Sequence, residues 1–232
     1  MKIKCEKLII NLDNSGETEI PYEHTYYIYS SILNRIGKYD PDLAENIHNG
    51  KTPQYVMSQL IPAGKAKFTS SGLKAKRFVL LIKTMNDALL DKLIKFFETG
   101  SRLSGPDFSL SVFSTRKVVC EYLPIYPQLV TRAPVILKNG NSYIGPEDEE
   151  FADTLIQNIR GKNLKIFGRS GEIKKLNITY SKRKISHIHG IPILSSIFKF
   201  IIDGDEDILR TVLCYGIGKN TQMGFGMVDI LE

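Results

Sequence analysis

Three cysteines in a chain of 232 residues, Cys5, Cys120 and Cys214, are odd in number and widely spaced, which excludes a disulfide framework and argues against a zinc site. A reducing cytoplasm is the expected compartment. Histidine is equally scarce: His24, His48, His187 and His189 are the only imidazoles able to exchange protons near neutral pH. No apolar run approaches the roughly 20 residues needed to cross a bilayer, and Met1-Lys2-Ile3-Lys4 leads into a strand pattern instead of a signal sequence. Neither membrane insertion nor secretion is expected. Charge is not extreme: 31 Lys and Arg against 25 Asp and Glu leave a formal +6, a lean toward an anionic partner. Also missing is the Lys/Arg-Gly-Phe-Gly/Ala-Phe strand on which many RNA-binding sheets stack bases, so that binding mode is not expected.

With 42% hydrophobic residues the chain can fill two modest cores. Alternation from Lys2 to Asn11 predicts a strand. Pro21 suits a first helical turn, and Tyr22, Tyr26, Tyr29, Ile32 or Leu33, and Ile36 recur at helical spacing up to Gly37. Asp40 then caps a short predicted helix that has Pro41 in its first turn and stops at His48-Asn49-Gly50. Predicted strands from Gln54 to Ile61 and Lys76 to Thr84 flank a polar hairpin region; Asn86 caps a predicted helix to Glu98, and a strand is predicted from Phe108 to Val119. Pro124, Pro127 and Pro134 mark a linker, after which the order repeats. The second half is predicted as a strand Pro134 to Lys138, a helix Glu147 to Arg160, strands at Leu164 to Phe167, Ile173 to Ile188 and Ile191 to Ile202, a helix from Asp205, and a last strand from Met223. This doubled order predicts an α+β protein of two tandem ferredoxin-like (RRM-like) βαββαβ domains, residues 1–123 and 124–232.

The segment Gly216-Ile217-Gly218-Lys219-Asn220-Thr221-Gln222-Met223-Gly224-Phe225-Gly226 is the most distinctive. Gly216, Gly218, Gly224 and Gly226 allow positive φ and close approach of N–H groups to an anion, and Lys219 adds a mobile charge, so the segment reads as a phosphate cradle. It follows a helix and precedes a strand. Walker and dinucleotide loops have the reverse order and use a helix N-terminus, so neither applies. Basic residues crowd the second half: Lys162, Lys165, Arg169, Lys174, Lys175, Lys182, Arg183 and Lys184, with Arg169 between Gly168 and Gly171 in a predicted hairpin tip. They predict a stripe for a nucleic-acid backbone. His48 stands at the end of a short helix beside Lys51, within reach of a substrate. The tyrosines are core residues by spacing, although the Tyr29 hydroxyl can emerge near the His48 loop. His187 and His189 alternate on a predicted strand without an acidic or thiol partner, a weak metal pair.

Taken together, the Pro21-Tyr22-Glu23-His24 opening, the Pro41 to His48 helix and the closing glycine loop with Lys219 resemble the CRISPR-associated family-six endoribonuclease of the RAMP superfamily. The resemblance spans the chain. It implies metal-independent cutting of CRISPR precursor RNA within repeats, with no cofactor: the ribose 2′-OH attacks the adjacent phosphate and leaves 5′-OH and 2′,3′-cyclic phosphate ends. It places His48 at the family's histidine position. The family's tyrosine and lysine positions hold Leu33 and Gln54 here, which makes Tyr29 and Lys51 the substitute partners. CRISPR repeat RNA is the implied ligand, other CRISPR-associated proteins and a second copy of the chain are implied as further partners, and a catalytically silent RNA-binding subunit is the alternative.

Overall fold

The computed structural model describes residues 3–50, 52–122 and 128–231. The first half contains β1 (Ile3–Asp13), α1 (His24–Tyr39), α2 (Pro41–Asn49), β2 (Val56–Met57), β3 (Ile61–Pro62), β4 (Arg77–Thr84), α3 (Asp87–Phe96), β5 (Arg102–Ser104) and β6 (Ser109–Tyr122). The second contains β7 (Gln128–Thr131), α4 (Phe151–Phe167), β8 (Ile173–Ile188), β9 (Ile191–Gly204), α5 (Glu206–Tyr215) and β10 (Val228–Ile230). The first sheet runs β2-β4-β1-β6-β5, with β3 also on β4, and the second runs β8-β9-β7-β10. Both are antiparallel, and in both the unit's first strand lies centrally beside its last. The protein is therefore mixed α+β, with the same connection order used twice.

Local signals explain most boundaries. Asp40 accepts from the Leu43 N–H at 3.0 Å and Asn86 from the Leu89 N–H at 3.0 Å, so both helices begin where a short polar side chain satisfies a free N–H. Gly50 ends α2 for a steric reason: a Cβ there would lie 2.0 Å from the Asn46 carbonyl oxygen. The apolar faces of α1 (Ile28, Ile32, Ile36) and α3 (Leu89, Leu90, Leu93) cover one face of β1 and β4. In the second half, Leu155 and Ile159 of α4 and Ile208 and Val212 of α5 pack on Phe198, Phe200 and Ile202 of β9. Each such side chain contributes about 1.5–3 kcal/mol by leaving water. The second core also takes in Ile3 and Cys5 of β1, so the halves share buried surface. Lys83 of β4, fully buried, crosses the junction to the Val228 carbonyl at 2.9 Å and to Asp229 at 3.2 Å.

Four expectations are corrected. Residues 164–167 are the end of α4 and not a strand, because Asn163 and Lys162 beyond the apparent stop at Gly161 are buried, and their packing outweighs the ~1 kcal/mol cost of one helical glycine. The helix instead ends at Gly168, whose φ is 74°. The first strand of the second half is β7, inside the stretch assigned to the linker, while Leu137–Asn139 forms a hairpin with Ser142–Ile144. The predicted strand from Gln54 to Ile61 is reduced to β2 and β3, and the polar region after it adds a small sheet of Ile20–Pro21, Gly72–Ala75 and Ala66–Phe68. Finally, the last strand shrinks to β10, since Gly224 and Gly226 have φ of 87° and 65° and cannot extend a strand. Pro124 and Pro127 lie outside the described residues.

Candidate active site

One cleft of about 570 Å³ lies between the halves. From the first half, α1 contributes Tyr26 and Tyr29, and the end of α2 contributes His48; from the second, α4 contributes Asn158, Lys162 and Lys165, and the glycine loop contributes Gly218 through Met223. The Tyr29 hydroxyl stands 3.4 Å from His48 Nδ1. Helical geometry explains the meeting: α1 and α2 are joined through Asp40 alone, so they fold back on each other and bring residues 19 apart in sequence into contact. Burial raises the pKa of Tyr29, with Tyr26 adding to it, so its hydroxyl keeps its proton. His48 itself is exposed, its Nε2 free to meet a ligand.

Lys219 and Asn220 form the exposed tip of the glycine loop, while Gly216, Gly218, Gly224 and Gly226 beneath it are buried. The expected row of free N–H groups is corrected here. Ile217 N–H donates to the Gly226 carbonyl (2.9 Å), Gly218 N–H to Asn158 Oδ1 (2.7 Å), Lys219 N–H to the Ile136 carbonyl (2.8 Å) and Gly226 N–H to the Pro134 carbonyl (2.9 Å). A Cβ on Gly216, Gly218 or Gly226 would sit 2.5, 2.6 or 1.8 Å from a carbonyl oxygen. These glycines let backbone pack on backbone, and of the four only Gly218 lines the cleft. The positive potential comes from side chains, foremost Lys219.

The basic stripe is divided. Lys174, Lys175, Lys182, Arg183 and Lys184 are all exposed on β8, an edge strand, and the two-residue period sends Lys182 and Lys184 to one face and Arg183 to the other. None of the five lines the cleft. Arg169 is not at a hairpin tip; it follows the C-cap of α4, where its Nε donates to Asp207 Oδ2 at 2.7 Å and its pKa is raised by that contact. Its charge is already matched. Lys51 lies outside the described residues. Leu33 packs against the first core, and the Gln54 amide turns to the Thr52 carbonyl at 3.4 Å.

Sequence reasoning undervalued two cleft residues. His189 occupies the β8–β9 turn with φ of 53°, not a strand, and its ring lies 3.8 Å from that of Tyr26. Its neighbour His187 reaches Glu23 at 3.6 Å, so this pair leans the hairpin on the start of α1. Lys162, counted only among the basic residues, is buried and donates to the Gly216 carbonyl at 2.9 Å. Burial, with Lys219 and Lys165 nearby, pushes its pKa down to about 7. The polar neighbours Arg160, Asn163 and Lys165 gave no sign in the sequence that this lysine is buried. His24 is structural: buried, it holds Pro21 at 2.8 Å through Nδ1 and accepts the Leu60 N–H at 3.2 Å through Nε2, which fixes the neutral Nδ1–H tautomer. Among the described residues no group of three His, Cys, Asp or Glu is placed to hold a metal, and no helix is long and apolar enough to cross a membrane.

Comparison with known proteins gives this arrangement a family. Residues 19–113 match the family described as CRISPR-associated protein Cas6, N-terminal, and residues 108–230 match CRISPR associated protein Cas6, C-terminal. The chain is 22% identical to the CRISPR-associated endoribonuclease Cas6 1 of Methanocaldococcus jannaschii, covering 97% of this chain and 93% of that protein. Its fold superposes with a TM-score of 0.82 on a solved CRISPR associated protein Cas6 (22% identity, 98% of this chain and 100% of the other). It superposes equally, at 0.82, on a protein described as an RAMP protein binding different RNA substrates (21% identity, 99% of each). The cleft between the halves is therefore shared by a chain that belongs to the Cas6 family of CRISPR-associated proteins.

Proposed function

We propose that this protein is an endoribonuclease that cuts CRISPR precursor RNA within its repeats by intramolecular attack of a ribose 2′-OH, leaving 2′,3′-cyclic phosphate and 5′-OH ends. The observation that carries the reading is the Tyr29–His48 contact opening on the same cleft as Lys219. His48 Nε2 takes the 2′-OH proton as the oxygen attacks phosphorus, while Nδ1–H is held by the Tyr29 hydroxyl oxygen. The imidazolium so formed returns the proton to the departing 5′ oxygen, and Lys219 and Lys165 stabilise the extra charge on the phosphorane. Lys182, Arg183, Lys184, Lys174 and Lys175 on β8 would hold more distant phosphates of the same strand. Each such contact makes log K fall with log salt by about 0.7. The doubled connection order and shared strand arrangement support two tandem ferredoxin-like domains, with a boundary near residues 123–124.

Incubation with repeat RNA in EDTA tests the chemistry. One cut with a cyclic phosphate end is expected, slowed about 100-fold or more by His48→Ala with affinity kept. Binding without any cut would instead leave an RNA-binding subunit, and an unaltered rate in His48→Ala would remove His48 from the mechanism.

A further inference from the structure

Lys162 is not accounted for by the reaction just described. The residue is only 9% exposed yet forms part of the cleft wall. An ammonium has three protons to donate, and the Gly216 carbonyl at 2.9 Å takes one. The charged groups that face it are both cationic, Lys165 one turn along α4 and Lys219 on the loop. Across the cleft stand the neutral or cationic side chains Tyr26, Tyr29, His48 and His189. Among the described residues lining this cleft, none carries a carboxylate. Buried lysines are ordinarily paired, because an isolated ammonium in a dry site is costly. Three lysines converging without an acid make a site whose missing element is an anion.

The local architecture is built to hold this amine still. Asn158 and Lys162 lie one helical turn apart and grip two points of the same loop, the Gly218 N–H at 2.7 Å and the Gly216 carbonyl at 2.9 Å. These two contacts tie the α4 face to the loop, so the Lys162 amine is held beside the Gly216 carbonyl within the wall of the cleft.

We propose that Lys162 is a phosphate ligand of the cleft, whose amine binds a nonbridging oxygen of the RNA backbone and takes up a proton from solution as it does so. The proposal rests on the endoribonuclease reading for the identity of the anion. The free protein holds Lys162 largely neutral above pH 7, since burial lowers its pKa to about that value. A phosphate beside it favours the charged form, so the bound state carries one more proton. RNA affinity should then fall as pH rises above 7, by up to about tenfold per pH unit where one proton is linked. Lys219 and Lys165 stand beside the same site.

Calorimetric titration with a repeat RNA carrying a 2′-deoxyribose at the cut site, at pH 8 in two buffers of different ionisation enthalpy, counts protons taken up. Wild type should take up about one more proton than Lys162→Met, and the variant should bind about tenfold more weakly. At pH 6 the difference in proton count should vanish. Equal counts at pH 8 would overturn the proposal, whatever the affinity. Should Lys162→Met fail to fold, wild type decides alone: affinity independent of pH between 7 and 9 overturns it. If the RNA does not bind at all, the endoribonuclease reading fails, and inorganic tripolyphosphate in the same two buffers then tests Lys162 on its own, with proton uptake expected and its absence decisive.

Discussion

Gly226→Ala separates two roles that a glycine-rich loop can play. If the glycines exist to let a ligand approach, an alanine leaves the fold intact and weakens RNA binding. If they exist to let backbone meet backbone, the fold itself suffers. At Gly226 the φ is 65°, and a Cβ would lie 1.8 Å from the Ile217 carbonyl oxygen, far inside contact distance. The left-handed conformation alone costs an L-residue about 1–2 kcal/mol. Relieving the clash requires Ile217 to withdraw, which opens the Ile217 to Gly226 hydrogen bond of 2.9 Å and strains the Gly226 to Pro134 bond of 2.9 Å. Each contributes about 1 kcal/mol net. The sum is about 3–4 kcal/mol, and at roughly 2–4 °C per kcal/mol for a chain of this size the melting temperature should fall by about 10 °C. Scanning calorimetry without RNA measures it. A variant that melts within about 2 °C of wild type yet binds RNA poorly would refute the packing argument and restore the ligand-approach role.

Lys219→Ala should do the opposite: the side chain is exposed and an alanine keeps the Lys219 N–H bond to the Ile136 carbonyl, so melting is unchanged, while RNA affinity drops and the salt slope decreases by about 0.7, read from gel shifts at several salt concentrations. Asp229→Ala strips the fully buried Lys83 of its carboxylate at 3.2 Å and should cost about 3 kcal/mol in urea unfolding, because the ammonium stays buried after losing that counter-charge. His24 gives the acid limb of stability. Burial holds its pKa down to about 4 in the fold against about 6.5 unfolded, so the unfolded chain binds the proton first, and stability is full above pH 6.5 and falls between 6.5 and 4. The loss is on the order of 3 kcal/mol, and His24→Gln should flatten the denaturation profile over that window; an unchanged profile would show that other groups set it.

The chain declared its local structure where the signal was local. Asp40 and Asn86 each cap a helix with a side chain that competes for one N–H, and that needs nothing from the rest of the molecule. Glycines 161 and 168 show the limit: the predicted helix stops before Gly161, yet α4 runs through it and ends at Gly168, since the decision at Gly161 is made by the burial of Lys162 and Asn163 against another element. The same holds for the site. Tyr29 and His48 were legible because a tight turn between two short helices fixes their relation. Lys162 was hidden, because nothing near it in sequence tells that α4 buries its amine under a loop 54 residues later. His189 was misread as sharing a strand face with His187, although the predicted strand already ended at Ile188 and left His189 to the turn.

In the proposed reaction proton transfer sits on one half and positive charge on the other, which would make the junction part of the catalyst. The short 3₁₀ turn Thr221–Met223 that carries the cleft face of the loop is seated on the first half: a Cβ on Gly224, which follows it, would come within 3.2 Å of Thr25 on α1 and 3.3 Å of the Ser58 carbonyl. Directly after the loop the chain enters β10, where Val228 and Asp229 receive Lys83 from the first sheet. The loop is thus pinned at both ends to elements whose positions depend on inter-half packing. The distance between Lys219 and His48 is set by that packing and not by either half alone. Loss of the Lys83–Asp229 contact should therefore slow cleavage more than it weakens RNA binding, since a strand held by many phosphates tolerates a small shift of the loop, whereas in-line attack does not. Equal losses in both would mean that the junction supports only the fold.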